Sequence, residues 1–196
     1  MEPEGLRYIP GFLDTDSQRR LIAEIEAIPE ERWERVHFRG NVALRRKVSY
    51  GYNYSPDSRE VSEAPPMPEY LRELRDRCVA AVGLPAEPFA QASVQRYPPG
   101  AGIGAHKDAP MFGPDVVGVS LGADARLVFK RGTDKHILRL EPGSLILLSG
   151  PARAQWTHEL PPVKSPRYSI YFRTLRRETS RLIRGPASSG GSGSSV

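Results

Sequence analysis

The second half of the chain is cut into short β-prone runs that leave no room for long helices. These runs cover residues 92–97, 116–121, 126–130, 136–140, 144–148 and 168–173, and Gly, Pro and Asp punctuate the intervals between them. Short strands at close spacing are the pattern of a β-sandwich or jelly roll. The first half reads differently. Residues 14–28 carry Leu21, Ile22, Ile25 and Ile28 at helical spacing, with Asp14, Thr15 or Asp16 as a cap and Pro29 as the stop. A second helix is predicted over 68–82, with Tyr70, Leu74, Cys78 and Ala81 on one stripe, a proline-rich lead-in and Gly83 at its close. Between them, residues 48–56 alternate aromatics with turn formers and read as a hairpin. Helices first and strands afterwards give an α+β class, with the helices packed on one face of a sheet.

A chain of 196 residues suits a single domain that buries roughly 70% of its unfolded surface. The stretch 186–196 is mostly Ser and Gly and is expected to be a flexible tail with no core to join, which leaves 1–185 as the domain. Cys78 is the sole cysteine, so neither an internal disulfide nor a paired-cysteine zinc site can form. No secretory signal and no apolar run of about 20 residues is present. The expectation is a soluble cytoplasmic protein with no membrane partner. The net charge is +5. Part of the excess sits at Arg45, Arg46 and Lys47, and part at Arg173, Arg176, Arg177, Arg181 and Arg184. Such clusters suit phosphate contacts, or are simply a solvated surface.

Chemistry concentrates at His106 and Asp108. Two positions apart on an extended backbone, they point to one side, so an imidazole and a carboxylate can converge on a cation. His158, just beyond the apolar run 144–148, can complete a set of two His and one carboxylate. That set leaves open positions on non-haem Fe(II). The same three residues are also compatible with a surface His-Asp pair and a His packed beside Trp156. The stretch from Arg167 to Arg173 adds a second constraint. Arg167, Ser169, Tyr171 and Arg173 alternate with Tyr168, Ile170 and Phe172, so two guanidiniums share a face with the inside of a barrel unless the strand lies at an edge in water. Buried guanidiniums need anions, and a dicarboxylate supplies them in a bidentate fork.

In order along residues 95–173 stand Gln95 and Tyr97, a Gly-containing turn, His106 and Asp108, the run Ser120, Leu121, Gly122, then His158, Arg167 and Arg173. This succession resembles the AlkB family of Fe(II)/2-oxoglutarate-dependent dioxygenases. The resemblance implies a double-stranded β-helix (jelly-roll) core over about 92–175 and a nucleotide-recognition lid over about 40–66. It implies Fe(II), 2-oxoglutarate as co-substrate and O2. His106, Asp108 and His158 would be the iron ligands, with no catalytic side chain beyond them. Gln95, Tyr97, Arg167, Ser169 and Arg173 would line the co-substrate pocket, and Tyr52, Tyr54 and Arg153 would contact substrate. Arg45, Arg46 and Lys47 would then suit phosphates beside the lid. The implied reaction is oxidative demethylation of N-alkylated bases in DNA or RNA, single-stranded or flipped out, by a monomer. The alternatives are tRNA modification, or a hydroxylase or demethylase of a protein or small molecule. Two departures stand out. Gln95 replaces the usual Asn, and Pro110 stands where repair members carry a second Asp near the target base.

Overall fold

The computed structural model describes residues 1–38, 41–55, 58 and 60–176. Arg177, Arg181, Arg184 and the 186–196 tail lie outside the described residues. In chain order the elements are β1 (Leu6–Ile9), α1 (Thr15–Glu26), a 3-10 turn (Glu30–Arg32), β2 (Glu34–Phe38), β3 (Asn41–Tyr50), β4 (Tyr52–Tyr54), β5 (Val61–Glu63) and α2 (Glu69–Ala81). There follow β6 (Gln91–Tyr97), β7 (Ile103–His106), β8 (Phe112–Gly122), β9 (Ala125–Arg131), β10 (Asp134–Leu140), β11 (Leu145–Leu148), α3 (Gly150–Ala154), β12 (Thr157–Leu160) and β13 (Arg167–Leu175).

Two sheets carry the fold. The larger has seven strands in the order β1-β11-β8-β13-β6-β3-β2, and the smaller has four, β10-β9-β12-β7. They form the jelly roll, and β4 and β5 make a separate two-stranded ribbon. Alternation on β13 divides the large sheet into two chemistries. Ile170 and Phe172 are fully buried on its outer face with Val94, Val117 and Val119, against Leu21 and Ile25 of α1 and Leu71, Leu74 and Cys78 of α2. Burying such side chains contributes roughly 1.5–3 kcal/mol each. Between the sheets lies a second apolar cluster that includes Phe129, Leu140, Ile146, Leu148 and Trp156.

The helices form for the local reasons the sequence suggests. Asp14 is the α1 cap, its carboxylate accepting the Ser17 amide at 2.7 Å. On α2 the buried stripe is Leu71, Leu74, Cys78 and Val79. Ala81 is exposed and Tyr70 only half-buried, so Leu74 and Cys78 of the expected stripe hold while Leu71 and Val79 replace its two ends. The hairpin reading of 48–56 is corrected as well. Val48 and Tyr50 belong to the long strand β3, which pairs with β6 inside the large sheet. Gly51 then breaks the strand at φ 73°, where a side chain would run into the Ala90 carbonyl. Only after that break does the chain leave the sheet as β4, paired with β5. Among the described residues, no helix is long and apolar enough to cross a membrane.

Candidate metal and co-substrate site

His106 ends β7 and His158 sits on β12, and the two are directly opposite across the antiparallel pair. Their ring centroids are 4.4 Å apart. Asp108 follows two residues after His106, beyond the end of the strand. One ligand atom from each of the three lies within 4.8 Å of the others, which matches three donors around a single ion. The His106 Nδ1 is 2.8 Å from the Gly104 carbonyl. A carbonyl can only accept, so Nδ1 holds the proton and Nε2 presents its lone pair.

The electrostatics keep this set in its metal-binding protonation state. Burial pushes the His158 imidazole down to about 4. Burial also lowers His106, partly offset by its bond to Gly104 and by Asp108. Both rings are therefore neutral near pH 7. Burial alone would raise the Asp108 carboxyl, but Arg173, His158, Arg153 and His106 together hold it at about 2. The Arg173 Nη2 stands 3.4 Å and the Arg153 Nε 3.8 Å from its oxygens. Neutral imidazoles beside an ionised carboxylate are the state that coordinates a cation.

A cavity of about 730 Å³ opens over these ligands between the two sheets. Gln91, Ser93, Gln95, Tyr97, Tyr171 and Arg173 on the inner face of the large sheet line it, whereas Arg167 and Ser169 lie on the same face but outside the lining. The strand registers align these polar residues in rows. Arg167 pairs with Tyr97 and Gly122, Ser169 with Gln95 and Ser120, Tyr171 with Ser93 and Gly118, and Arg173 with Gln91 and Val116. Arg167 is 1% exposed. Its guanidinium lies 4.9 Å over the Tyr97 ring and donates one bond, to Ser120 Oγ at 3.1 Å. Its Nε and Nη1 are buried without a partner, as are Ser169 Oγ, Arg173 Nε and His158 Nδ1. A buried guanidinium with two open donors and no carboxylate is costly unless an anion completes it. The residues present therefore fit a divalent metal at the His-Asp-His end and a carboxylate-bearing molecule at Arg167.

The other expected residues distribute as follows. Gln95 Oε1 accepts from the Tyr97 hydroxyl at 2.6 Å and from Arg45 Nη1 at 3.1 Å, so the longer side chain links β6 to β3. Tyr54 lines the cavity and meets Phe112 edge-on at 5.9 Å. Tyr52 is buried and does not line it. Arg153 also stays out of the lining. It donates to the Asp108 and Ala109 carbonyls at 3.3 and 3.1 Å, and so grips the metal-ligand loop rather than the open space.

The basic cluster on β3 divides by parity. Arg46 faces outward to an ion pair with Glu30, which Arg96 Nη2 also reaches at 2.6 Å. Arg45 and Lys47 face the cavity. Of the cluster suited to phosphate contacts, Arg46 is thus engaged with Glu30 while Arg45 and Lys47 turn toward the cavity. Gln91 and Ser93 also line the cavity and were not anticipated. In both strands the signal was the same period of two: 45, 47 and 49 share a face, as do 91, 93, 95 and 97.

Comparison with known proteins agrees with this geometry. The family described as the 2OG-Fe(II) oxygenase superfamily matches residues 5–183. The tRNA (carboxymethyluridine(34)-5-O)-methyltransferase alkbh8 of Xenopus tropicalis is 28% identical over 169 residues, covering 83% of this chain and 26% of its own length. The chain therefore spans about a quarter of that relative. The alpha-ketoglutarate-dependent dioxygenase AlkB of Escherichia coli strain K12 is 32% identical over 137 residues, 63% of either chain. Among solved structures, that of OsALKBH1 superposes with a TM-score of 0.73 at 20% identity, covering 89% of this chain and 98% of its own, which speaks to the fold. With the matched family spanning nearly the whole described chain, and a His-Asp-His set lining its cavity, this protein belongs to the 2OG-Fe(II) oxygenase superfamily.

Proposed function

We propose that the chain is an Fe(II)- and 2-oxoglutarate-dependent dioxygenase that oxidatively demethylates N-alkylated bases in DNA or RNA. His106, Asp108 and His158 would hold the iron. Arg167 would take the distal carboxylate of 2-oxoglutarate, with Gln95, Tyr97, Ser169 and Arg173 completing its pocket. The observation that carries the reading is the pairing of a three-donor cation site with a buried guanidinium that has no counter-anion among the described residues. Similarity to the DNA oxidative demethylase ALKBH2 of Bos taurus and the probable RNA/DNA demethylase ALKBH6 of Danio rerio supports the substrate class.

When bound, the metal with 2-oxoglutarate and O2 supplies oxidation of a C–H bond coupled to conversion of the co-substrate to succinate and CO2. The protein's own residues bind and orient. Arg153 fixes the backbone of the Asp108 loop, and the His106–Gly104 bond fixes the imidazole tautomer. Tyr54 offers a face for a base that is single-stranded or flipped out. Of the expected lid 40–66, residues 41–50 belong to the large sheet, so the β4–β5 ribbon beyond Gly51 would act as the lid. Residues 1–185 would be one domain, and the enzyme would work as a cytoplasmic monomer. An N-methyl group hydroxylated in the cavity leaves as formaldehyde, and the base is restored.

The test is a panel of methylated single-stranded DNA, duplex DNA and tRNA, incubated with Fe(II), ascorbate and 2-oxoglutarate. Formaldehyde equimolar with substrate-stimulated succinate is the expected result. Succinate without loss of methyl from any nucleic acid would move the substrate to a protein or small molecule.

A further inference from the structure

The charge lining the cavity is strongly unbalanced. Arg45, Lys47, Arg173 and the exposed Lys107 line it, and Asp108 is the only acidic side chain that does so among the described residues. Asp108 is already engaged, with Arg173 at 3.4 Å and with the two imidazoles of the metal set. A divalent metal and a dicarboxylate co-substrate cancel one another, so their arrival leaves the surplus in place. Lys47 is partly compensated. Its ammonium donates to Asn53 Oδ1 and to the Tyr54 carbonyl, both at 2.7 Å, with Glu34 at 3.6 Å. Arg45 has no such partner. Its hydrogen bond goes to the neutral Gln95 amide at 3.1 Å, and it forms no ion pair among the described residues. Guanidinium stays protonated whatever its surroundings. Arg45 is therefore a fixed positive charge on the cavity wall.

N-alkylated bases fall into two electrostatic classes. 1-Methyladenine and 3-methylcytosine are cations near neutral pH, whereas 1-methylguanine and 3-methylthymine are neutral and present carbonyl oxygens. A cationic base needs a carboxylate beside it. Here the position two residues after Asp108 is Pro110, which is exposed and offers no charge. Entering this cavity, a cationic base would meet Arg45 and Lys47 in a poorly screened site. A carbonyl oxygen would instead complete the donors of Arg45.

We infer that Arg45, backed by Lys47, sets the charge of the base this site accepts: a neutral or anionic base with carbonyl or carboxylate oxygens, and not a cationic one. The inference rests on the nucleobase reading above and narrows it.

The experiment separates binding from turnover. The protein is loaded with Mn(II) and N-oxalylglycine, which block reaction. Single-stranded oligonucleotides of one sequence, each with one of the four methylated bases, compete against a labelled unmodified strand. The neutral lesions are expected to bind about 10-fold more tightly than the cationic ones, a difference of ~1.4 kcal/mol. Arg45→Met should shrink the preference to within about 3-fold, Arg45→Lys should keep its direction, and Arg45→Glu should invert it. Equal or tighter binding of 1-methyladenine by the unaltered protein overturns the inference. So does an Arg45→Met protein with unchanged melting temperature and an unchanged ratio. Turnover is read in parallel with Fe(II) and 2-oxoglutarate. Neutral preference without formaldehyde from any strand removes the demethylase reading and leaves charge selection standing. Formaldehyde without neutral preference does the reverse.

Discussion

Arg167 holds a guanidinium at 1% exposure with two open donors, and a residue in that state makes a definite prediction. Its bonds to a carboxylate are charge-assisted, each worth about 1.5–3 kcal/mol. Loss of even one such bond corresponds to about 10–100-fold, so Arg167→Ala should weaken 2-oxoglutarate by at least about 10-fold in Kd, read by calorimetry on Mn(II)-loaded protein. Arg167→Lys should recover little, because an ammonium lacks the planar fork. An unchanged Kd would place the co-substrate elsewhere. The histidines predict a pH dependence. Burial holds His158 at about 4 in the fold, against an ordinary value near 6.5. The unfolded chain thus takes up the proton first, and the penalty is absent above about pH 6.5. Stability falls as pH drops from there toward 4. Asp108, held at about 2, keeps its contribution across that window and loses it only below its ordinary value of ~3.9. Metal-free protein should show a melting temperature that declines between pH 7 and 4, with a shallower slope in His158→Gln. A flat profile in the unaltered protein would contradict the buried neutral imidazole.

At the level of elements, β6, β8, β9, β10, β11 and β13 could be read from sequence because their own side chains declare them. The runs containing Val94, Val117 and Ile170 are β-branched and apolar. The four-residue strands β1, β7 and β12 were missed because pairing imposes them from outside: β1 on β11, β7 on β12, and β12 on both β7 and β9. Within β7, two of four residues are Gly104 and Ala105, which carry little strand signal. The metal ligands were legible as residue types, yet their convergence depends on β7–β12 register, which no local pattern states. Arg153 was harder still. It lies on the five-residue α3, and its aim at the Asp108 and Ala109 carbonyls follows from how α3 sits beside that loop. Arg45 and Lys47 were readable in principle, since Val48 and Tyr50 mark the core parity of β3. The packing of α2 is directly testable. Cys78 is fully buried and its thiol is pushed well up by that burial. It should react with Ellman's reagent only as the protein unfolds, and rapid labelling under native conditions would refute the α2–sheet contact.

For the molecule as a whole, one sheet serves two layers. Its outer face is an apolar platform for α1 and α2, and its inner face is a polar floor for the cavity. Stability and chemistry are thereby carried on opposite parities of the same strands. A substitution on the inner face, such as Ser169→Ala, should change co-substrate affinity more than melting temperature. One on the outer face, such as Phe172→Ala, should cost about 3–5 kcal/mol of stability, measured by urea titration. The opposite pattern would mean the two faces are not separated. The central claim concerns the three donors and the buried arginine acting as one centre. Its most direct test is succinate formed from 2-oxoglutarate by purified protein with Fe(II) and ascorbate, compared with His158→Ala of matched folding by circular dichroism. We predict succinate from the unaltered protein and none above background from the variant. Equal succinate from both would contradict the assignment of this site.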